Sequence, residues 1–151
     1  MIHIYIPIKY RKLLDKKRFE LAASETLLSL GLYDPLSVVV KLTNDREIQK
    51  LNNAYRRIDK TTDVLSFENE YVDPENGEHF LGDIMISVET AASQAEANGN
   101  ALQHEIEMLL VHGVLHLAGH DHANKKEKEG MSALQDQVLT KIDNPLRQSI
   151  Q

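Results

Sequence analysis

Residues 112–122 read HGVLHLAGHDH, and four of the chain's seven histidines fall inside those eleven positions. No other segment restricts the fold as much. His112 and His116 are four apart, so on a helix they lie on one face, one turn above the other. The apolar stripe Leu102, Ile106, Leu109, Leu110 and Leu117 has the spacing of a buried helix and predicts one here. Gly119 follows, where a helix can end in a left-handed turn that a Cβ would resist. The chain can then reverse and bring His122 back toward the first two rings. Neutral imidazole is the commonest protein metal ligand. Three imidazoles and one open position describe a catalytic zinc centre, one Zn2+ per chain, rather than a closed structural one. His120, directly after Gly119, competes with His122 for the third place. Asp121 suits either a turn or a carboxylate that fixes a ligand ring.

The spacing also matches the metzincin pattern HExxHxxGxxH in its three histidines and its glycine. The glutamate that would act as general base is Gly113 here. A peptidase without that carboxylate lacks its water-activating group. Met131, the candidate for a Met-turn, falls inside a predicted helix.

With 151 residues the chain is expected to form a single domain, residues 1–151, large enough for a core without staples. It has no cysteine, which excludes disulfides and thiolate metal sites and fits a reducing compartment. No apolar run approaches the ~18 residues of a membrane span. The opening MIHIYIPIKYRKLLDKK lacks the basic start and apolar block of a signal peptide and reads as a strand. The expected location is the cytoplasm, with no membrane partner. Net charge is −6, but it is unevenly spread: residues 1–60 carry +5, residues 61–124 carry −12 with no Lys or Arg, and residues 125–151 carry +1. A basic first segment can face phosphates while the remainder stays acidic.

Ile2, Ile4, Ile6 and Ile8 alternate and predict a strand; Lys16 to about Leu30 is helical and stops at Gly31. Leu36, Val38, Val40 and Leu42 give a second strand. Thr43 or Asn44 caps a helix to about Tyr55, with Glu47 at the capping-box position. Val64–Glu68 is a third strand, residues 70–79 a turn, and Phe80–Ser87 a fourth strand. Ser87 caps a helix ending at Asn98-Gly99, Asn100 caps the histidine helix, and a last helix runs from about Lys125 to Ile142. The expected class is α+β: a mixed sheet of about four strands packed with about five helices.

A second constellation lies at residues 52–67, NNAYRRIDKTTDVLSF. Arg56, Arg57 and Lys60 sit at a predicted helix end and in the loop beyond it. Cations there complement the helix dipole. Arginine near a metal also suits phosphate, which it holds through a bidentate fork while neutralising charge that builds at phosphorus.

The two segments together resemble the YbeY family of metal-dependent bacterial endoribonucleases, which act in ribosomal RNA maturation. The family signature, close to HGxLHLxGYDH, stands here as HGVLHLAGHDH. A stretch close to LNxxYRxxDxPTDVLSF stands as LNNAYRRIDKTTDVLSF, and GDIMIS at 82–87 matches a third. Order and spacing agree over most of residues 42–122. The resemblance implies that His112, His116 and His122 bind zinc and that Arg56, not Arg57, is the functional cleft arginine. It implies endonucleolytic cleavage of single-stranded RNA, processing of the 16S rRNA 3′ end, ribosome quality control, and ribosomal or small-subunit partners, with no DNA. His120 stands where the family has tyrosine, and Thr61 and Glu68 stand where it has proline.

Combined, these readings predict a zinc-assisted attack on phosphorus, by water made acidic at the metal or by the RNA 2′-hydroxyl, with Arg56 stabilising the added charge. Asp63, Asp83 and His120 are the candidate general bases. Two alternatives are a zinc metallopeptidase-like hydrolase, which the absent glutamate disfavours, and a non-enzymatic ribosome-assembly factor with a structural metal.

Overall fold

The computed structural model describes residues 2–32, 36–119 and 125–146. It is an α+β fold of four strands and five helices, in the order β1 (Ile2–Tyr5), α1 (Lys16–Ser29), β2 (Leu36–Thr43), α2 (Asp45–Arg56), β3 (Val64–Val72), β4 (His79–Ser87), α3 (Val88–Asn98), α4 (Leu102–Leu117) and α5 (Lys125–Lys141). The sheet is mixed, in the order β1-β2-β4-β3. β1, β2 and β4 are parallel, and β3 returns antiparallel to β4 as one arm of a hairpin. Parallel neighbours need a crossover, which α1 supplies between β1 and β2.

The first strand is shorter than the isoleucine alternation predicts. Pro7, at φ −55°, precedes a 3-10 turn over Ile8–Tyr10, and Ile8 is left exposed. Proline has no N–H to give to a ladder, so the alternation continues in sequence after the strand has ended. The third strand is longer than expected, running on through the polar residues to Val72. Its outer half is exposed and paired only with β4, so no burial pattern marks it in the sequence.

The expected caps are in place with one exception. The Asn44 side chain accepts from the Glu47 backbone N–H at 2.8 Å, and the Ser87 hydroxyl accepts from the Thr90 N–H at 3.2 Å. Asn100 does not cap α4. Its own N–H bonds the Ala95 carbonyl near the end of α3, and α4 starts one residue later behind Ala101, which makes no side-chain cap.

The core lies between one face of the sheet and α1, α4 and α5. Ile4, Val40 and Ile84 are paired across adjacent strands, so they share one face, and all three are buried. α4 is the central helix: Ile106, Leu110, Val111, Val114 and Leu115 are fully enclosed. Met131 is buried within α5, so it forms no Met-turn. No helix among the described residues is long and apolar enough to cross a membrane.

Candidate active site

His112 and His116 stand half-buried on α4, between enclosed apolar residues of the same helix. Their ring centroids are 4.7 Å apart, and their Nε2 atoms approach to 3.2 Å. The Nδ1 atom of His112 lies 3.1 Å from Oε1 of Gln135 on α5. The Nδ1–H tautomer satisfies that contact by donating to the amide oxygen, and it leaves Nε2 of His112 as a lone pair. Two nitrogens bound to tetrahedral zinc at 2.0–2.1 Å stand roughly 3.3 Å apart. The observed separation matches that spacing, so the pair fits a divalent ion. His122 and His120 lie outside the described residues, and among the described residues no third ligand joins the pair.

The histidines open into a cleft of about 510 Å3 that is also lined by Arg56, Thr62, Asp63, Ser66 and Glu68. Arg56 is the last residue of α2. The next residue, Arg57, takes a left-handed conformation at φ 56° and turns the chain away. The two adjacent arginines therefore part, and only Arg56 lines the cleft. Its Nη2 donates to the Ser66 carbonyl at 2.9 Å. Its guanidinium carbon lies 5.8 Å from the centre of the Phe67 ring, within cation–π reach. Tyr55 packs edge-on against the same ring. One hydrogen bond and one aromatic face thus hold the cation over the cleft.

Of the candidate bases, Asp63 lines the cleft. Its carboxylate accepts from Gln94 Nε2 at 3.2 Å and from the Thr62 hydroxyl at 3.3 Å. Asp83 is elsewhere. Ile84, the next residue, pairs with Ser66, whose hydroxyl donates to the Gly113 carbonyl on α4 at 3.2 Å. Successive side chains point to opposite faces, so Asp83 is on the face away from α4.

Gly113 shows why no glutamate stands there. A Cβ at this position would sit 2.9 Å from Cγ2 of Ile84 and 3.4 Å from the Ser66 hydroxyl. The residue after His112 points into the helix–sheet contact, not into the cleft. A carboxylate there would be buried against the sheet, out of reach of a metal between the two rings.

No sequence motif assigns a role to Ser66, Thr62 or Gln135, and Glu68 is marked only as standing where the resembled family has proline. Ser66 and Glu68 alternate on β3 with Phe67 between them, a two-residue period that is visible in the sequence. Gln135 has no such signal, since it meets His112 only through the packing of α5 on α4.

A family model described as Endoribonuclease YbeY matches residues 7–143. The chain is 39% identical over 146 residues to "Endoribonuclease YbeY" of Aquifex aeolicus, covering 95% of this chain and 93% of that protein. It is 48% identical over 107 residues to the protein of the same name from Heliobacterium modesticaldum, covering 65% of this chain and 64% of the other. In structure it is similar to TM1509 from Thermotoga maritima, with a TM-score of 0.58 and 27% identity, covering 99% of this chain and 97% of that one. Similarity that runs nearly end to end, in sequence and in fold, makes this chain a member of the YbeY family.

Proposed function

We propose that this chain is a zinc-dependent endoribonuclease that cleaves single-stranded RNA. In this reading it acts in the cytoplasm on ribosomal RNA, including the 16S 3′ end, and serves ribosome quality control with small-subunit components as partners. The observation that carries the chemical part is the 3.2 Å approach of the two Nε2 atoms in the cleft that Arg56 overhangs. His122 is the third ligand in this reading.

A divalent ion held by these imidazoles supplies Lewis acidity at a phosphoryl oxygen and lowers the pKa of water toward neutrality. The chain's own residues do the rest. Arg56, fixed by Ser66 and Phe67, presents a permanent positive charge to the non-bridging oxygens as charge grows on them. Asp63, oriented by Gln94 and Thr62, and Glu68 are the carboxylates that line the cleft, and Asp63 takes the part of proton acceptor in this reading. The steric closure at Gly113 argues against the peptidase alternative, because that mechanism needs a carboxylate where the sheet leaves no room.

Arg56→Ala tests the division of labour. Cleavage of a single-stranded RNA oligonucleotide should fall by roughly 100-fold or more in kcat, with zinc content unchanged by elemental analysis. Full activity, or loss of zinc together with activity, would contradict the role given to Arg56.

A further inference from the structure

We propose that Gln135 is a positioning residue for the metal centre, selecting the His112 tautomer that points a lone pair into the cleft. The inference rests on the metal reading above and adds a residue from α5, an element with no residue among the described ones lining the cleft. The contact joins residues 23 apart in sequence, Nδ1 of His112 and Oε1 of Gln135, at 3.1 Å.

Gln135 is held where it can do this. On α5, Met131, Val138 and Leu139 stand one turn before or after it, and all three are buried. Residues at those spacings share a helix face, so Gln135 lies on the packed side of α5. Helix packing on α4 and α1 therefore fixes its Cα, and only the side-chain torsions remain.

A neutral imidazole has two tautomers, and only the one protonated at Nδ1 offers Nε2 to a metal. An acceptor at Nδ1 favours that tautomer and also fixes the rotation of the ring. The Nε2 of His112 then stands beside that of His116. Without the acceptor, part of the population carries its proton on Nε2, and the ring turns more freely. Both effects weaken metal binding while leaving the ligand itself in place. Loss of such an outer partner costs roughly 10–100-fold in affinity.

The test uses the full chain and Co2+ as a spectroscopic probe, with Zn2+ affinity then read by displacement. Gln135→Met keeps side-chain length and helix propensity but removes the acceptor; Gln135→Ala is a second variant in case the first packs poorly. Gln135→Glu keeps an acceptor oxygen. Both acceptor-free variants should bind Co2+ and Zn2+ roughly 10–100-fold more weakly, with melting temperature unchanged in the presence of chelator. RNA cleavage should return as metal is raised to saturation. Gln135→Glu should bind at least as tightly as the parent chain. Parental affinity in Gln135→Met and Gln135→Ala, or equal weakness in Gln135→Glu, would overturn the proposal. A parent chain that takes up no stoichiometric metal is a different outcome: it removes the metal reading itself, and Gln135's role with it.

Discussion

Among the polar groups of helix α4, Glu107 and the His112–His116 pair stand little more than one turn apart, and they are completed in different ways. Glu107 is wholly enclosed, and protein atoms use both of its oxygens. Arg18 donates through Nε at 2.7 Å and Nη2 at 2.9 Å, Gln103 at 2.9 Å and Asn144 at 3.0 Å. Arg18 also reaches the Ile142 carbonyl, so the cluster ties α1 and the end of α5 to the central helix. The ion pair raises the Arg18 pKa above its ordinary value, chiefly through the hydrogen bond to Glu107. The histidines instead bring their Nε2 atoms together at 3.2 Å in the lining of the cleft. Equal rarity of polar residues on a buried helix thus hides two purposes. A buried charge that ends on protein donors fastens elements together, whereas lone pairs converging beside a cleft can receive a ligand.

The contrast breaks most readily at its structural end. Glu107→Ala should cost about 3 kcal/mol in chemical denaturation, the lower end for breaking a buried pair, because Arg18 is partly exposed and can regain water. His116→Ala should abolish cleavage while changing stability by about 1 kcal/mol or less. If the two variants exchange these effects, the assignment of the two groups is wrong.

Gly113→Glu sharpens the boundary between them. It would restore the metzincin pattern in sequence but drive a carboxylate against Ile84 and Ser66. The expected result is destabilisation by several kcal/mol and no peptidase activity in a peptide-library assay. A stable variant that cleaves peptides would show that the position faces the cleft after all.

The smallest effect concerns the loop behind Arg56. Asp45 accepts hydrogen bonds from Ser87, Thr90 and Thr61, which join α2, α3 and the cleft loop. The hydroxyls of Ser87 and Thr90, and then that of Thr61, hold its carboxyl below the usual carboxylate range, against an opposing contribution from burial. A depressed carboxyl stabilises the fold above its unfolded pKa of about 4 and loses that contribution as pH falls through the lower folded value. Thermal melts from pH 6 to pH 3 should therefore show a slightly shallower acid limb for Asp45→Asn than for the parent. Identical limbs would remove Asp45 as a contributor.

Much of this was legible because local rules decided it. The i, i+4 histidines, the glycine after them and the leucine stripe defined α4, and the Asn44 and Ser87 caps began their helices as their chemistry predicts. The misses occur where distant packing or competing bonds decided. Pro7 ended β1 within an unbroken isoleucine alternation. Asn100 gave its N–H to the preceding helix. Arg56 and Arg57 could not be told apart by charge, because the left-handed turn at Arg57 separates them. The resemblance implies Arg56, and of the two arginines Arg56 is the one that lines the cleft. By residue type Asp83 is as eligible a base as Asp63, and strand register puts it on the far face. The contact between Gln135 and His112 had no trace in the sequence at all.

The central claim is that the paired imidazoles hold an ion needed for cutting RNA and not for holding the fold. It is tested most directly by measuring cleavage of a single-stranded RNA oligonucleotide and the melting temperature on the same sample, before chelation, after it, and after zinc is returned. Activity should disappear with the metal and return with it while the melting temperature stays nearly constant. Undiminished cleavage in chelator, or activity and fold lost together, would contradict the account.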